Sequence, residues 1–207
     1  FDLKAVVIAC GTVSANALTE LRAENDLPIF GVVEPAARAA VAATRKGKVG
    51  LIATAASVRS GAYEKAIAAL DPGVEVRSDA CPLFVPLVEN GRHRPGDPVV
   101  ELVAREYLAP MQEAGVDTLV LGCTHYPLLR EVIGGIMGPG VTLIDTGAVC
   151  AAETARFLAG KGLLAEGQAG SRRYFVSDSA SDFAALAAPF LGGEVDGPVE
   201  RVDIEKY

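Results

Sequence analysis

Nowhere does this chain of 207 residues concentrate Lys and Arg into the footprint that a phosphate backbone requires, and its 19 basic against 26 acidic residues leave a net charge of −7. That balance argues against a nucleic-acid partner. No apolar run approaches the ~20 residues of a membrane span. The longest, at 49–56 and 116–121, are strand-sized and interrupted or ended by Gly, Asp or Ser, so no membrane partner is expected. The 4 cysteines are too few and too irregularly spaced for a disulfide framework. Reduced thiols and a cytoplasmic address are the expectation. There is no Cys-x-x-Cys and no His-x-x-x-His pair, and the 2 histidines fall in unrelated contexts, which speaks against a metal site and against a thioredoxin-type redox centre. A Gly-x-Ser-x-Gly turn is missing too, which removes the serine-hydrolase reading. The chain opens at Phe1 without Met, directly before an expected strand. An N-terminal segment is therefore expected ahead of it, and a targeting signal there is left open.

What the chain does have is a core and a rhythm. Half of its residues, 50%, are hydrophobic, enough to bury a real interior. Short runs of Val, Ile and Leu recur, each followed by a small polar turn and then an Ala-rich or Leu-rich amphipathic segment. Strands are expected at 4–9, 29–33, 49–53, 74–78, 118–121, 141–144, 173–176 and 199–203, and helices at 14–24, 35–44, 61–70, 98–114, 127–137, 149–161 and 181–191. Pro35, Pro98 and Pro127 suit first turns, and Gly115 and Gly162 suit helix ends. Loops are expected at 90–97 and 165–171. Fully apolar strands alternating with helices predict an α/β fold with parallel sheets covered on both faces.

A weak internal similarity bears on function. The run Val6-Val7-Ile8-Ala9-Cys10-Gly11-Thr12 resembles Leu119-Val120-Leu121-Gly122-Cys123-Thr124-His125, each reading as strand, cysteine, polar turn and helix. Ligands of open α/β sheets bind beyond the carboxyl ends of the strands, where helix N-termini offer free N–H groups to anions. A cysteine is more often a small buried hydrophobe than a reactive group. Cys81, followed by Pro82, and Cys150, in an Ala-rich helix with no polar neighbour, fit that bland role. Cys10 and Cys123 differ, because each ends a strand just before a helix, where amides and dipole stabilise a thiolate.

His93 lies among Asn90, Gly91, Arg92, Arg94 and Pro95, an ordinary solvated loop. His125, two residues after Cys123, stands where it can modulate the thiol or protonate a substrate group; its bland role is to cap the helix near Pro127. The run 81–91 brackets an apolar stretch with two prolines and ends in Glu89. It reads either as a packed crossover with Glu89 solvated, or as a carboxylate aimed into a cleft to orient a thiol or His125.

At these residues the chain resembles the glutamate racemases. Gly122-Cys123-Thr124-His125-Tyr126-Pro127-Leu128-Leu129, the run 81–91, Ala9-Cys10-Gly11-Thr12 and Gly31-Val32-Val33-Glu34-Pro35-Ala36 all look like signatures of that family, and the likeness extends to the closing segment 177–192. The resemblance implies two similar α/β domains with the active site in the cleft between them. The first would be discontinuous, 1–34 with 144–207, its N-terminal part missing, and the second would span 35–143. It implies interconversion of L- and D-glutamate for peptidoglycan, with a homodimer as the working form. Cys10 and Cys123 would be the two catalytic thiols, with His125 and Glu89 assisting. Gly11, Thr12, Thr54, Ser57, Thr124 and His125 would hold substrate. No pyridoxal cofactor is implied, since no lysine stands out as a Schiff-base site.

Two departures stand out. The family's first motif usually reads Cys-Asn-Thr, whereas this chain carries Gly11 at the asparagine position. The family's N-terminal Asp-Ser-Gly and Tyr-Gly motifs are absent, and about two βαβ units, roughly 60 residues, would be needed before Phe1 to supply them. A related racemase acting on aspartate or hydantoin, and a non-catalytic module for small carboxylates, are the competing readings.

Overall fold

The fully apolar runs become inner strands. In β3 (Lys48–Ala53) and β5 (Thr118–Leu121) every residue except Lys48 is buried, as expected of strands carrying helices on both faces. The computed structural model describes residues 3–165, 167 and 170–206. In it β3 and β5 pair in parallel, with β4 (Glu75–Ala80) beside β3 and β6 (Thr142–Asp145) beside β5, giving the all-parallel order β4-β3-β5-β6.

Alternation along these strands feeds two separate cores. Val49, Leu51, Ala53 and Val120 face one side, where α3 (Val33–Ala43) supplies Ala36, Ala37 and Ala40, and α5 (Ala62–Leu70) supplies Tyr63 and Ile67. Ile52, Leu119 and Leu121 face the other, against Val100, Leu108 and Met111 of α7 (Pro98–Ala114) and Val132 and Ile133 of α8 (Arg130–Met137). Each fully buried Leu or Ile contributes roughly 2 kcal/mol. The sheet centre is therefore the stiffest part of the fold, and its strand ends are well anchored.

Two shorter strands form their own parallel pair, β1 (Val6–Ile8) with β2 (Ile29–Gly31), joined through α1 (Gly11–Asn16) and α2 (Leu18–Ala23). Helix α9 (Thr146–Gly160) packs on β2, with Phe157 edge-on to Phe30 at 5.2 Å and the Cys150 thiol donating to the Gly31 carbonyl at 3.5 Å. Thr154 donates back to the Cys150 carbonyl at 2.9 Å, so Cys150 does have a polar neighbour, contrary to expectation. Burial nevertheless raises its thiol pKa.

All of this lies in one compact unit, Phe1–Leu164; a second unit, Ala165–Tyr207, is a small βαβ element. There β7 (Tyr174–Val176) pairs in parallel with β8 (Val199–Arg201), and α10 (Ala180–Leu191) connects them. Tyr174 stacks on Phe183 at 5.7 Å and donates to Asp196 at 2.9 Å. Among the described residues no helix is long and apolar enough to cross a membrane.

All eight expected strands appear, and four of them, β1, β2, β7 and β8, are shorter than expected. The helices need four corrections. The helix expected over 14–24 begins at Gly11 and breaks at Ala17, whose ψ of −8° and φ of −124° leave the helical basin. The helices α4 (Ala55–Ser60) and α6 (Phe84–Glu89) were not expected at all, because six residues are too few to display a helical period. The run 81–91 is thus a short helix rather than a bare crossover, with Pro86 tolerated in its first turn. The segment expected to open a helix at Pro127 is a 3₁₀ turn, Tyr126–Leu129, before α8 starts. Gly115 and Gly162 do end helices, and 90–97 is a loop. Part of the loop expected at 165–171 lies outside the described residues.

The turn feeding β3 is tied to β5 by one carboxylate. Asp117, only 3% exposed, accepts from the Thr44 hydroxyl at 2.6 Å and from the Arg45 and Lys46 amides, both at 2.7 Å. Burial pushes its pKa up, but the Thr44, Arg45 and Lys46 donors outweigh burial and hold it below the usual carboxylate value. Its stabilisation is therefore present above the ordinary carboxylate pKa of about 4 and is lost as pH falls through the lower folded value. Asp117→Asn should cost about 2 kcal/mol at neutral pH and flatten the stability loss on acidification, as read by urea unfolding at a series of pH values.

Candidate active site

The candidate residues converge because they follow the carboxyl ends of parallel strands. Beyond β3 come Thr54, which caps α4, and Ser57; beyond β5 come Gly122, Cys123, Thr124 and His125. The order β4-β3-β5-β6 reverses direction between β3 and β5, the switch point where open α/β sheets form a crevice. The turn after β1 brings in Cys10, Gly11 and Thr12, and α6, after β4, brings in Glu89.

Glycine allows the two cysteine turns to touch. A Cβ at Gly11 would stand 2.4 Å from the Gly122 carbonyl oxygen and 3.3 Å from the Tyr63 hydroxyl. A Cβ at Gly122 would stand 2.9 Å from Ala53 and from Leu51, on the end of β3. Gly11 thus rests on Gly122, and Gly122 rests on β3. Beside this contact, the hydroxyls of Thr12, Thr54 and Ser57 form a triangle with separations of 2.8, 3.1 and 3.3 Å. Hydroxyls serve as donors or acceptors by rotation, so the cluster can turn its protons toward a carboxylate.

The two thiols stand in different surroundings. Cys10 is exposed and occupies the N-cap position of α1. Cys123 is buried, at 7% exposure. Burial pushes its thiol pKa up, and the His125 amide, Thr124 hydroxyl and Thr124 amide, which favour the thiolate, offset this only in part; the charge of Cys10 adds a further upward push. Behind Cys123, His125 Nδ1 lies 3.8 Å from the sulfur and 3.3 Å from the Thr124 hydroxyl, while Nε2 lies 3.0 Å from Glu89 Oε1. An ionised carboxylate only accepts, so it favours the proton on Nε2 and leaves Nδ1 as an acceptor facing the thiol. Glu89, His125 and Cys123 together can move a proton on and off sulfur.

The helix-capping role for His125 fails, since its side chain makes no cap hydrogen bond. Glu89 is not merely solvated. Gly11, Thr12, Thr54, Ser57, Thr124, His125, Glu89 and both cysteines are brought together. Cys81 is fully buried, with burial raising its thiol pKa to about 12, which fits the bland role. His93 sits half-buried in its loop with Nδ1 unpaired, less solvated than expected. Sequence reasoning missed Gly122 as a contact and Tyr63 altogether. A tyrosine opening an amphipathic helix looks like any core aromatic, and only packing brings its hydroxyl to this site.

Residues 2–154 match the family model described as Asp/Glu/Hydantoin racemase. A glutamate racemase from Geobacter metallireducens is 48% identical over 99% of this chain and 75% of its own length. Among solved structures, a glutamate racemase isoform from Bacillus anthracis superposes with a TM-score of 0.91 at 40% identity, covering 99% of this chain and 75% of that one. The Francisella tularensis glutamate racemase, solved in complex with D-glutamate, gives 0.89 at 32% identity, covering 100% and 76%.

The glycine contact predicts a contrast. Gly11→Ala must push the two cysteine turns apart, an overpacking that costs about 1–3 kcal/mol. Gly135→Ala, in α8 with nothing within 4 Å of the added carbon, should leave stability unchanged or raise it by up to about 1 kcal/mol. Thermal unfolding of the two variants beside the parent measures both, and equal melting temperatures for all three would contradict the contact.

Proposed function

The chain belongs to the Asp/Glu/Hydantoin racemase family, and from that premise we propose that it interconverts L- and D-glutamate, with the Cys10 and Cys123 thiols acting on opposite faces of the substrate α-carbon. The observation that carries this reading is the backbone contact between the two cysteine turns, which holds two chemically distinct thiols beside one hydroxyl cluster. Glutamate is favoured over aspartate or hydantoin because the relatives at 48%, 40% and 32% identity are all glutamate racemases. The product would supply D-glutamate for peptidoglycan.

An amino-acid α-proton is a poor acid, and inversion takes it from one face and returns one to the other. For one enantiomer the Cys10 thiolate accepts the proton from carbon, leaving the electron pair as a carbanion conjugated with the α-carboxylate. The Cys123 thiol then donates its proton from the opposite face. For the other enantiomer the roles exchange, and Cys123 must first lose its proton. Burial opposes that loss, and the His125 imidazole, oriented by Glu89, is placed to accept it. Thr12, Thr54, Ser57 and Thr124 hold the substrate carboxylates.

We also propose the two-domain division 1–34 with 144–207 and 35–143. The separate β1–β2 sheet and the packing of α9 on β2 support it, while the inclusion of the last 43 residues, 165–207, rests on family likeness. A homodimer and a cytoplasmic address belong to the same reading.

In deuterated water, product formed from L-glutamate at early times should carry deuterium at the α-carbon, while recovered L-glutamate should not. Cys10→Ser and Cys123→Ser should each lower racemisation by about 10²–10⁴-fold, because a serine hydroxyl does not ionise at neutral pH. Mass spectrometry and polarimetry read these outcomes. Near-normal racemisation by both variants, or protonated early product, would overturn the two-thiol reading.

A further inference from the structure

Tyr63 is the one residue at this site whose chemistry remains unused. It opens α5 and is 0% exposed, yet its hydroxyl has no hydrogen-bond partner among the described residues. Leaving a hydroxyl buried and unpaired is costly, so such a group calls for an explanation. Its position supplies one. The hydroxyl lies 3.3 Å from where a Gly11 side chain would begin, directly under the contact between the two cysteine turns. Gly11 directly follows Cys10, and Gly122, on which it rests, directly precedes Cys123, so the hydroxyl abuts the backbone of both cysteine turns.

Cys123 needs such a neighbour. Three donors already favour its thiolate, the His125 amide, the Thr124 hydroxyl and the Thr124 amide, and burial still outweighs them. Tyr126, also fully buried behind Cys123, cannot help, since its hydroxyl already donates to the Cys81 carbonyl at 2.9 Å. The titratable groups around the sulfur are then Cys10, His125 with Glu89 behind it, Tyr126 and Tyr63.

We propose that Tyr63 is a positioning residue for the two-thiol reaction, whose hydroxyl donates a hydrogen bond to the Cys123 sulfur when that sulfur is ionised and so makes the thiolate accessible at working pH. Burial, followed by the charges of Cys123 and Cys10, raises the Tyr63 pKa well above that of an ordinary phenol. The group therefore stays protonated as a donor and does not compete as a base. No bond to Tyr63 breaks. Its proton remains on oxygen while the substrate proton moves to and from sulfur. Gly11 belongs to this device, because any side chain there would stand between the hydroxyl and the turns above it.

The proposal rests on the two-thiol reading for its consequence in turnover, but its central claim concerns one thiol and can be measured without substrate. Tyr63→Phe removes only an unpaired oxygen, so the melting temperature should hold or rise slightly. The pH midpoint for alkylation of Cys123 by iodoacetamide, followed peptide by peptide by mass spectrometry, should move up by about one unit, the loss of one hydrogen bond to a charged group. The acid limb of kcat/KM for glutamate should move in the same direction, with kcat at neutral pH falling about tenfold and KM changing less. If the wild-type protein fails to racemise glutamate yet the alkylation midpoint shifts, the functional reading is wrong and the role of Tyr63 stands. An unchanged midpoint, whatever happens to stability, overturns the proposal. A fall in melting temperature with an unchanged midpoint would assign the hydroxyl to packing alone.

Discussion

Two backbone segments that carry no side chain at the point of meeting, Gly11 against the Gly122 carbonyl and Gly122 against the end of β3, determine where everything else in the site can stand. The turn after β1 is pressed onto the turn after β5, and the turn after β5 onto its neighbouring strand. The Thr12 hydroxyl reaches those of Thr54 and Ser57, which are already paired at the start of α4, because these turns are stacked. The same stacking brings the Tyr63 hydroxyl within 3.3 Å of where a Gly11 side chain would begin. An asparagine at position 11, usual in the family resembled, would put its Cβ 2.4 Å from the Gly122 oxygen. In this chain the two turns therefore stand closer than a side chain there would permit.

That arrangement is rigid where rigidity matters. Strands β3 and β5 are buried on both faces, their side chains alternating between two cores, so the residues just beyond them inherit fixed directions. The outer strand β4 is more exposed. From it α6 departs, carrying Glu89 back to His125 across an interval of 36 positions.

The surroundings of the two thiols differ in a way that suits proton exchange. Cys10 is exposed at a helix start, whereas Cys123 lies in an apolar pocket that favours its neutral form. Neutral sulfur is what a proton donor needs. A return path for that proton requires a nearby acceptor, and His125, held by Glu89 on its far side, lies 3.8 Å away. Carboxylate, imidazole and thiol thus stand in line, 3.0 Å and 3.8 Å apart, an arrangement suited to passing a proton to and from sulfur.

The α/β class and the parallel strands were legible in the sequence, because strand periodicity and apolar composition are local properties of the chain; Cys10 and Cys123 were singled out on equally local grounds, as thiols that end a strand just before a helix. The short helices α4 and α6 were not, since six residues carry no readable period. The glutamate family was legible too, through runs such as Gly122-Cys123-Thr124-His125-Tyr126-Pro127. Tertiary structure decided between the two readings of Glu89 by bringing it to His125, joined Thr54 and Ser57 to Thr12 by hydrogen bonds, and turned the oxygen of Tyr63, an inconspicuous aromatic on an Ala-rich helix, toward the cysteine turns. Those relations depend on strand order, which reverses between β3 and β5, and on how closely two glycines allow backbones to approach. Neither quantity is written in any short window of residues, because each arises only when distant segments share one sheet and one core.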